Sequence, residues 1–330
     1  AYNEVHHNDT IVFGCRLSIP EQIESFAYDK YLASKGVYAI CYRPEYLDVQ
    51  KRETFSVVAS ILQIKEILVD KLGLIVPEPH SAFFSGLLFG GSSSLSHELK
   101  DDFSRTGTSH ILAASGFNVS LFTFVFLGWI LGTPLGRKKS LWLTTGLLIV
   151  YVVMAGATPA VMRAALMASV LLVGKAINRK ASMMNVLLLV AALMLLANPR
   201  ILLDDVGFQL SFVATSALIF IAPKWQKHFK FIPNIFELRT SFVASLAAIT
   251  LTLPIVIWHF GSVSLISPIT NLIILPLIPF AMAIMMVALA ISFLSIKLAT
   301  FIALPAWAFS TLTLQIITWF SSLPIASISL

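Results

Sequence analysis

Residues 105–131 read RTGTSHILAASGFNVSLFTFVFLGWIL. The stretch starts polar, with His110, Ser115, Gly116 and Asn118, and runs on into apolar sequence long enough to help cross a bilayer. A hydrocarbon core of about 30 Å needs roughly 20 apolar residues in a helix. Lipid does not tolerate a histidine, an asparagine and a serine–glycine pair unless they are put to use. Read as one helix, the stretch sets His110, Ala114 and Asn118 at i, i+4 and i+8, a single stripe with Ser115 beside it. A lining for a hydrophilic path accounts for such a stripe, and so do hydrogen bonds to neighbouring helices. Gly116 lets the backbone bend or a neighbour come close.

The rest of the chain shares this apolar character. Of its 330 residues, 57% are hydrophobic and 12% charged, where a soluble domain carries about 25% charged residues. This composition is that of an integral membrane protein. Ala1 leads straight into polar sequence with no signal peptide, which reads as an excerpt of a longer protein. Spans are predicted near 109–131, 141–156, 158–177, 183–198, 206–222, 241–260 and 298–320. The run 262–296, broken by Pro268, Pro276 and Pro279, reads as one span plus a re-entrant piece or as a tight hairpin. The expected fold is an all-α polytopic membrane bundle of about seven to eight spans with re-entrant and amphipathic helices. The net charge is +6. Arg137, Lys138 and Lys139 fill one loop, Arg179 and Lys180 another, and Lys224, Lys227, Lys230 and Arg239 a third. These alternate with loops poor in lysine, so residue 109 and with it the β-rich N-terminal region are expected outside.

The bundle is preceded by two other regions. Residues 1–48 are the least apolar; TIVFGCRLSI and GVYAICYR alternate as strands do, with a short helix after Pro20. A small β-rich N-terminal outer portion is expected. Its Phe26, Tyr28, Tyr31, Tyr38, Tyr42 and Tyr46 lie near Lys30, Lys35 and Arg43, a pattern of an ordinary small core or of a nucleic-acid surface. Cys15 and Cys41 can pair as a disulfide if this region faces an oxidising compartment. Residues 49–79 hold an amphipathic helix with Phe55, Val58, Ile61, Leu62, Leu68, Val69 and Leu72 on one face. It is too charged to span, and either lies in the interface or packs on the bundle. The membrane domain is placed at 80–330. Its first run, HSAFFSGLLFGG at 80–91, is too short to cross and predicts a re-entrant or buried helix, followed by a polar link at 92–108.

Polar residues recur inside the expected spans. Arg163, in TPAVMRAALMAS, is placed about one turn below the outer surface, where it snorkels, pairs with a carboxylate or meets an anion. In LLDDVGFQLSFVATSALIF, Asp205, Gln209 and Ser216 share a stripe flanked by Phe208 and Phe212. A glutamine between rings suits passing bases, and equally a buried amide. Asp204 or Asp205 is placed to pair with Arg163 or His110. No Walker A, GxSxG or HExxH motif occurs, and no Cys/His metal spacing. The sequence predicts no catalytic residues, no metal site and no cofactor.

Three segments, LLFGGSSSLSHELKDDFSRTGTSHILAASGFNVSLF, GATPAVMRAALMAS and NPRILLDDVGFQLSFVAT, resemble in this order the competence domain of the ComEC family. The family pattern TG-x-SH-L-L-A-x-SG-x-H-V is met at Thr106, Gly107, Ser109, His110, Leu112, Ala113, Ser115, Gly116 and Val119. Asn118 stands in place of the second histidine; it still hydrogen-bonds but cannot titrate. Residues 1–48 are similar to the end of the family's outer OB-like domain. The resemblance implies a channel of the bacterial inner membrane that passes single-stranded DNA to the cytosol during natural transformation. Its path would be lined by His110, Ser115, Gly116, Asn118, Arg163, Asp205, Phe208, Gln209 and Phe212. It also implies membrane lipid and other competence proteins as partners, a DNA receptor and a cytoplasmic motor among them. Many family members carry a metallo-β-lactamase-like domain, whose HxHxDH motif does not occur in this sequence. Two other readings compete. One is a secondary transporter for a small anionic solute, with Arg163 and Asp205 as a coupling pair. The other is a membrane hydrolase built on Ser115 and His110, which point about 140° apart on one helix.

Overall fold

The computed structural model describes residues 9–21, 28–42, 46–50, 55–91, 95–112, 115–231, 238–324 and 326–329. Arg43 and Ala114, and the part of the first helix before Tyr28, lie outside the described residues. The N-terminal portion contains β1 (Thr10–Gly14), β2 (Leu17–Ser18), α1 (Tyr28–Ser34), β3 (Ile40–Cys41) and β4 (Tyr46–Gln50). β1 pairs antiparallel with β4, Thr10 opposite Gln50, and β2 with β3, Leu17 opposite Cys41. A disulfide joins Cys15 to Cys41, whose Cα atoms are 6.0 Å apart.

Helices then take over, because in lipid a helix satisfies its backbone groups internally. They begin with α2 (Val57–Ile75), α3 (His80–Phe89), α4 (His97–Arg105), α5 (Ser109–Leu112) and α6 (Gly116–Leu131). Ser56 sets the start of α2 by accepting from the Ala59 N–H at 3.3 Å, which leaves Phe55 outside the helix and exposed. The link at 92–108 contains a helix that was not expected. Ser96 caps α4 at the Leu99 N–H, and Glu98 and Arg105 suit its dipole at either end. Phe103 anchors α4 in the core.

The remainder comprises α7 (Arg137–Met154), α8 (Pro159–Ala176), α9 (Met183–Ala197), α10 (Ile201–Asp204), α11 (Val206–Phe220), α12 (Ala222–Trp225) and α13 (Leu238–Phe260). Then follow β5 (Ser262–Ser264), α14 (Ser267–Ile274), α15 (Ile278–Ile291), α16 (Ile296–Ser321) and β6 (Ser327–Ser329). Among the described residues, four stretches are long and apolar enough to cross a membrane: Pro159–Ala176, Val206–Trp225, Arg239–Phe260 and Ile296–Ser321. α14 and α15, bent by 44°, make a fifth if taken as one broken span. α6 and α9 are shorter apolar helices, and α7 carries three basic residues in its first turn. The chain is a helical multi-pass membrane bundle.

Pairing of β5 with β6, Ser262 opposite Ser329, ties the end of α13 to the end of α16. Ser321 at that end donates to Asp102 Oδ1 of α4 at 2.5 Å, so the α4–α5 turn lies there too. The N-terminal portion meets the α9–α10 turn: Asn198 Nδ2 donates to Ser34 O at 2.8 Å and Arg200 Nη1 to Tyr38 Oη at 3.1 Å.

The centre of the bundle is α3. Nine of its ten residues are buried, which makes the short run at 80–91 a buried helix. α2 packs along it rather than standing apart. Leu72 and Ile75 of α2 join Phe83 and Leu87 of α3, Met285 of α15 and Ile317 of α16 in one cluster. A helix leaves its last four carbonyls unpaired, and three of those of α3 find donors within the bundle. Gly90 N–H returns to Gly86 O, Asn118 Nδ2 donates to Leu87 O at 2.6 Å, and Tyr151 Oη donates to Leu88 O at 3.0 Å.

Asn118→Leu and Tyr151→Phe each leave one of these carbonyls unpaired while keeping volume. Each is expected to lower the unfolding free energy in detergent by about 0.5–2 kcal/mol. Denaturant titration reads the change, and unaltered stability in both variants would refute the cap.

Candidate functional site

The helix expected to run through 109–131 is interrupted before Gly116. α5 ends at Leu112, and α6 starts at Gly116 behind Ser115, whose backbone is extended (φ −111°, ψ 171°). The expected stripe is therefore not continuous. His110 is exposed and keeps its Nδ1 3.2 Å from Gly107 O within its own turn. Asn118 is 2% exposed and turned to α3. Its Oδ1 accepts from Ser115 Oγ at 3.3 Å. Ser115 thus spends its hydroxyl on Asn118 and makes no side-chain cap to the first turn of α6.

Arg163 stands in the second turn of α8, after Thr158 and Pro159 open that helix. Its partly buried guanidinium donates from Nε to Ser211 Oγ at 2.6 Å and from Nη1 to Met167 Sδ at 3.5 Å. Its carbon lies 5.9 Å from the centre of the Phe212 ring. Nη2 reaches to 3.1 Å from where a Cβ on Gly116 would stand, so a larger residue there would press on the guanidinium. None of the partners found among the described residues is a carboxylate. A cation out of bulk water wants a counter-charge or full hydrogen bonding. Here it abuts the start of α6, itself the positive end of a helix dipole. Both features favour an anion at the same place.

Asp205 does not pair with Arg163 or His110. It is 4% exposed, and its Oδ1 accepts from the Phe208 N–H at 2.8 Å as the cap of α11. A free helix start claimed the carboxylate first. Gln209 Nε2 donates to Leu202 O at 3.0 Å and Leu203 O at 3.1 Å, closing α10. Phe208 is buried against Val186, Val190 and Met194, and its ring centre is 4.4 Å from that of Phe212. Ser115, Gly116, Asn118, Arg163 and Phe212 thus come together, while His110, Asp205, Phe208 and Gln209 serve their own corners. Ser211 was missed. It and Thr215 lie one turn apart on α11 beside Phe212, a polar face next to the one singled out.

A second polar junction also escaped the sequence reading. Thr106 and Thr108 are fully buried, with their hydroxyls 2.8 Å apart. Thr270 Oγ1 of α14 donates to Thr106 O at 3.0 Å, and Asn271 Nδ2 donates to Ser267 Oγ at 3.2 Å. Gly107, at φ +67°, lies so close to α14 that an added Cβ would stand 2.6 Å from Ser267. The TG pair of the motif is thereby locked against the broken span.

A family model described as Competence protein matches residues 87–330. ComE operon protein 3 of Bacillus subtilis (strain 168) is 26% identical over 293 residues, 86% of this chain and 36% of that protein. The uncharacterized protein YcaI of Escherichia coli (strain K12) is 28% identical over 221 residues, 62% of this chain and 28% of that protein. The chain therefore spans 36% or less of the length of these curated relatives. No solved structure matches it.

Gly107→Ala combines a left-handed backbone with a clash on Ser267. A loss of roughly 1–3 kcal/mol is expected, seen as a lower unfolding midpoint of the solubilised chain. Gly107→Ala with Ser267→Gly should recover part of it. A full midpoint in the single variant would show that the 106–108 turn is not locked.

Proposed function

This chain belongs to the competence protein family, and we propose that it is a conduit carrying single-stranded DNA across the bacterial inner membrane into the cytosol during natural transformation. The observation that carries this reading is the Arg163 guanidinium, which has no carboxylate partner among its hydrogen bonds and lies against the uncapped start of α6. A phosphate backbone cannot cross lipid, so its path must be polar. Nη2 of Arg163 and the first N–H groups of α6 would meet a phosphate, and the Phe212 ring beneath would offer a face to a base. Gly116 keeps the approach open. Ser115 and Asn118 hold the start of α6 in place. Asp205, Gln209 and Phe208 fix the corner from which Ser211 and Phe212 project, and His110 stands at the approach. A single cation of this kind binds an anion without trapping it, as a conduit requires.

In this reading residues 1–48 form an extracytoplasmic portion, 49–79 a helix and linker, and 80–330 the membrane domain. A DNA receptor would deliver the strand, and a cytoplasmic motor would draw it in. The transporter alternative needed Arg163 coupled to Asp205, a pair that does not form.

Arg163→Ala is expected to cut entry of labelled DNA into the cytosol about tenfold or more, with capture at the outer surface unchanged. Arg163→Lys should retain a larger share. Wild-type transformation by Arg163→Ala at equal protein level would sink the assignment.

A further inference from the structure

A cavity of about 360 Å³ lies between α2 and α3, lined by Asp70, Gly73 and Leu74 on one side and Glu78, Ser81 and Ser85 on the other. Ser81 and Ser85 lie one turn apart on α3 and share one face, and Glu78 stands just before the start of that helix. Asp70 and Glu78 are exposed at its mouth. Ser81 is 5% exposed, and its hydroxyl is buried with no hydrogen-bond partner. Other helical hydroxyls here, those of Thr123, Ser140, Thr144 and Ser216, donate to the carbonyl one turn back at 2.7–2.9 Å. Ser81 forgoes that bond on a face that lines a cavity.

The mouth is acidic and not neutralised by the adjacent lysine. Lys71 turns away, donating to Ser292 O at 3.2 Å and lying 4.5 Å over the Phe293 ring. Glu78 gives Oε2 to the Ala82 N–H at 3.2 Å. The polar groups offered are chiefly acceptors, two of them carboxylates. A ligand must therefore carry positive charge and donate hydrogen bonds, as a primary ammonium does with three N–H groups and no acceptor. The space far exceeds the roughly 30 Å³ of a water, and Leu74 gives it an apolar wall for a short carbon chain. Lys71 places the mouth beside the α15–α16 turn, at the other end of α16 from β6.

We propose that this cavity binds an alkylammonium group, either of a free small amine or of an aminophospholipid headgroup. The proposal does not depend on DNA passage. The test titrates the full chain, in micelles free of phosphatidylethanolamine, with ethanolamine and with choline, whose nitrogen bears no N–H. Calorimetry is expected to show ethanolamine binding at least about tenfold tighter than choline. Ser81→Ala should weaken it about fivefold and Asp70→Asn about tenfold, without lowering the unfolding midpoint of the unliganded chain. Native mass spectrometry from mixed bilayers then separates the sources. Retention of phosphatidylethanolamine over phosphatidylcholine, lost in Asp70→Asn, identifies the lipid headgroup. Equal retention with ethanolamine binding intact identifies the free amine. No ethanolamine binding, equal affinity for choline, or unchanged binding in both variants overturns the proposal.

Discussion

Two hydrogen bonds to the end of α3 set the constraint on which the bundle depends. A helix leaves its last carbonyls without intrahelical partners, and with nine of its ten residues buried α3 finds donors for them inside the protein. Asn118 of α6 and Tyr151 of α7 supply the donors. Tyr151 is in turn held by Phe122, with ring centres 4.3 Å apart. Close approach is part of the same arrangement. A Cβ on Gly86 would stand 2.8 Å from Gly91 O, so the turn after α3 folds back only over glycine. Once Asn118 is turned to α3, Ser115 follows it, and the first turn of α6 is left without a side-chain cap.

That sequence of commitments explains the electrostatics at the head of the bundle. The carboxylate expected to neutralise Arg163 is spent on the start of α11, where a backbone N–H at 2.8 Å holds it. Arg163 is left with a hydroxyl, a thioether and a ring. A guanidinium tolerates this better than an ammonium, because its charge is delocalised and weakly hydrated. The positive end of α6 adds to the same potential.

The broken span shows a related economy. α14 and α15 bend by 44° at the turn that contains Pro276, whose residues are half-buried. The turn 106–108 fills the space beside α14, with Thr270 bonded to Thr106 O. One close contact between Gly107 and Ser267 thus joins the most distinctive motif of the sequence to the segment whose path prolines made ambiguous.

Much of this was legible in the residues. Apolar length is local, and it gave the short buried run at 80–91 and the multi-pass class, while fewer helices than the seven to eight expected are long and apolar enough to span. Ser96, Glu98 and Arg105 also spelled out α4, although the segment's polarity suggested a link. The ordered motifs from 87 to 215 gave the family. What the sequence could not show was which polar group meets which. Asn118 and Tyr151 lie 31 and 63 positions from the carbonyls they pair, and Ser211 lies 48 from Arg163. Asp205 had two eligible partners, a nearby helix start and a distant cation, and its residue type fits both. The sequence by itself determined where helices form, because propensity, capping and hydrophobicity act between neighbours in the chain. Only the tertiary structure decided which donors satisfy which acceptors, because without water that choice depends on what packing brings within about 3 Å.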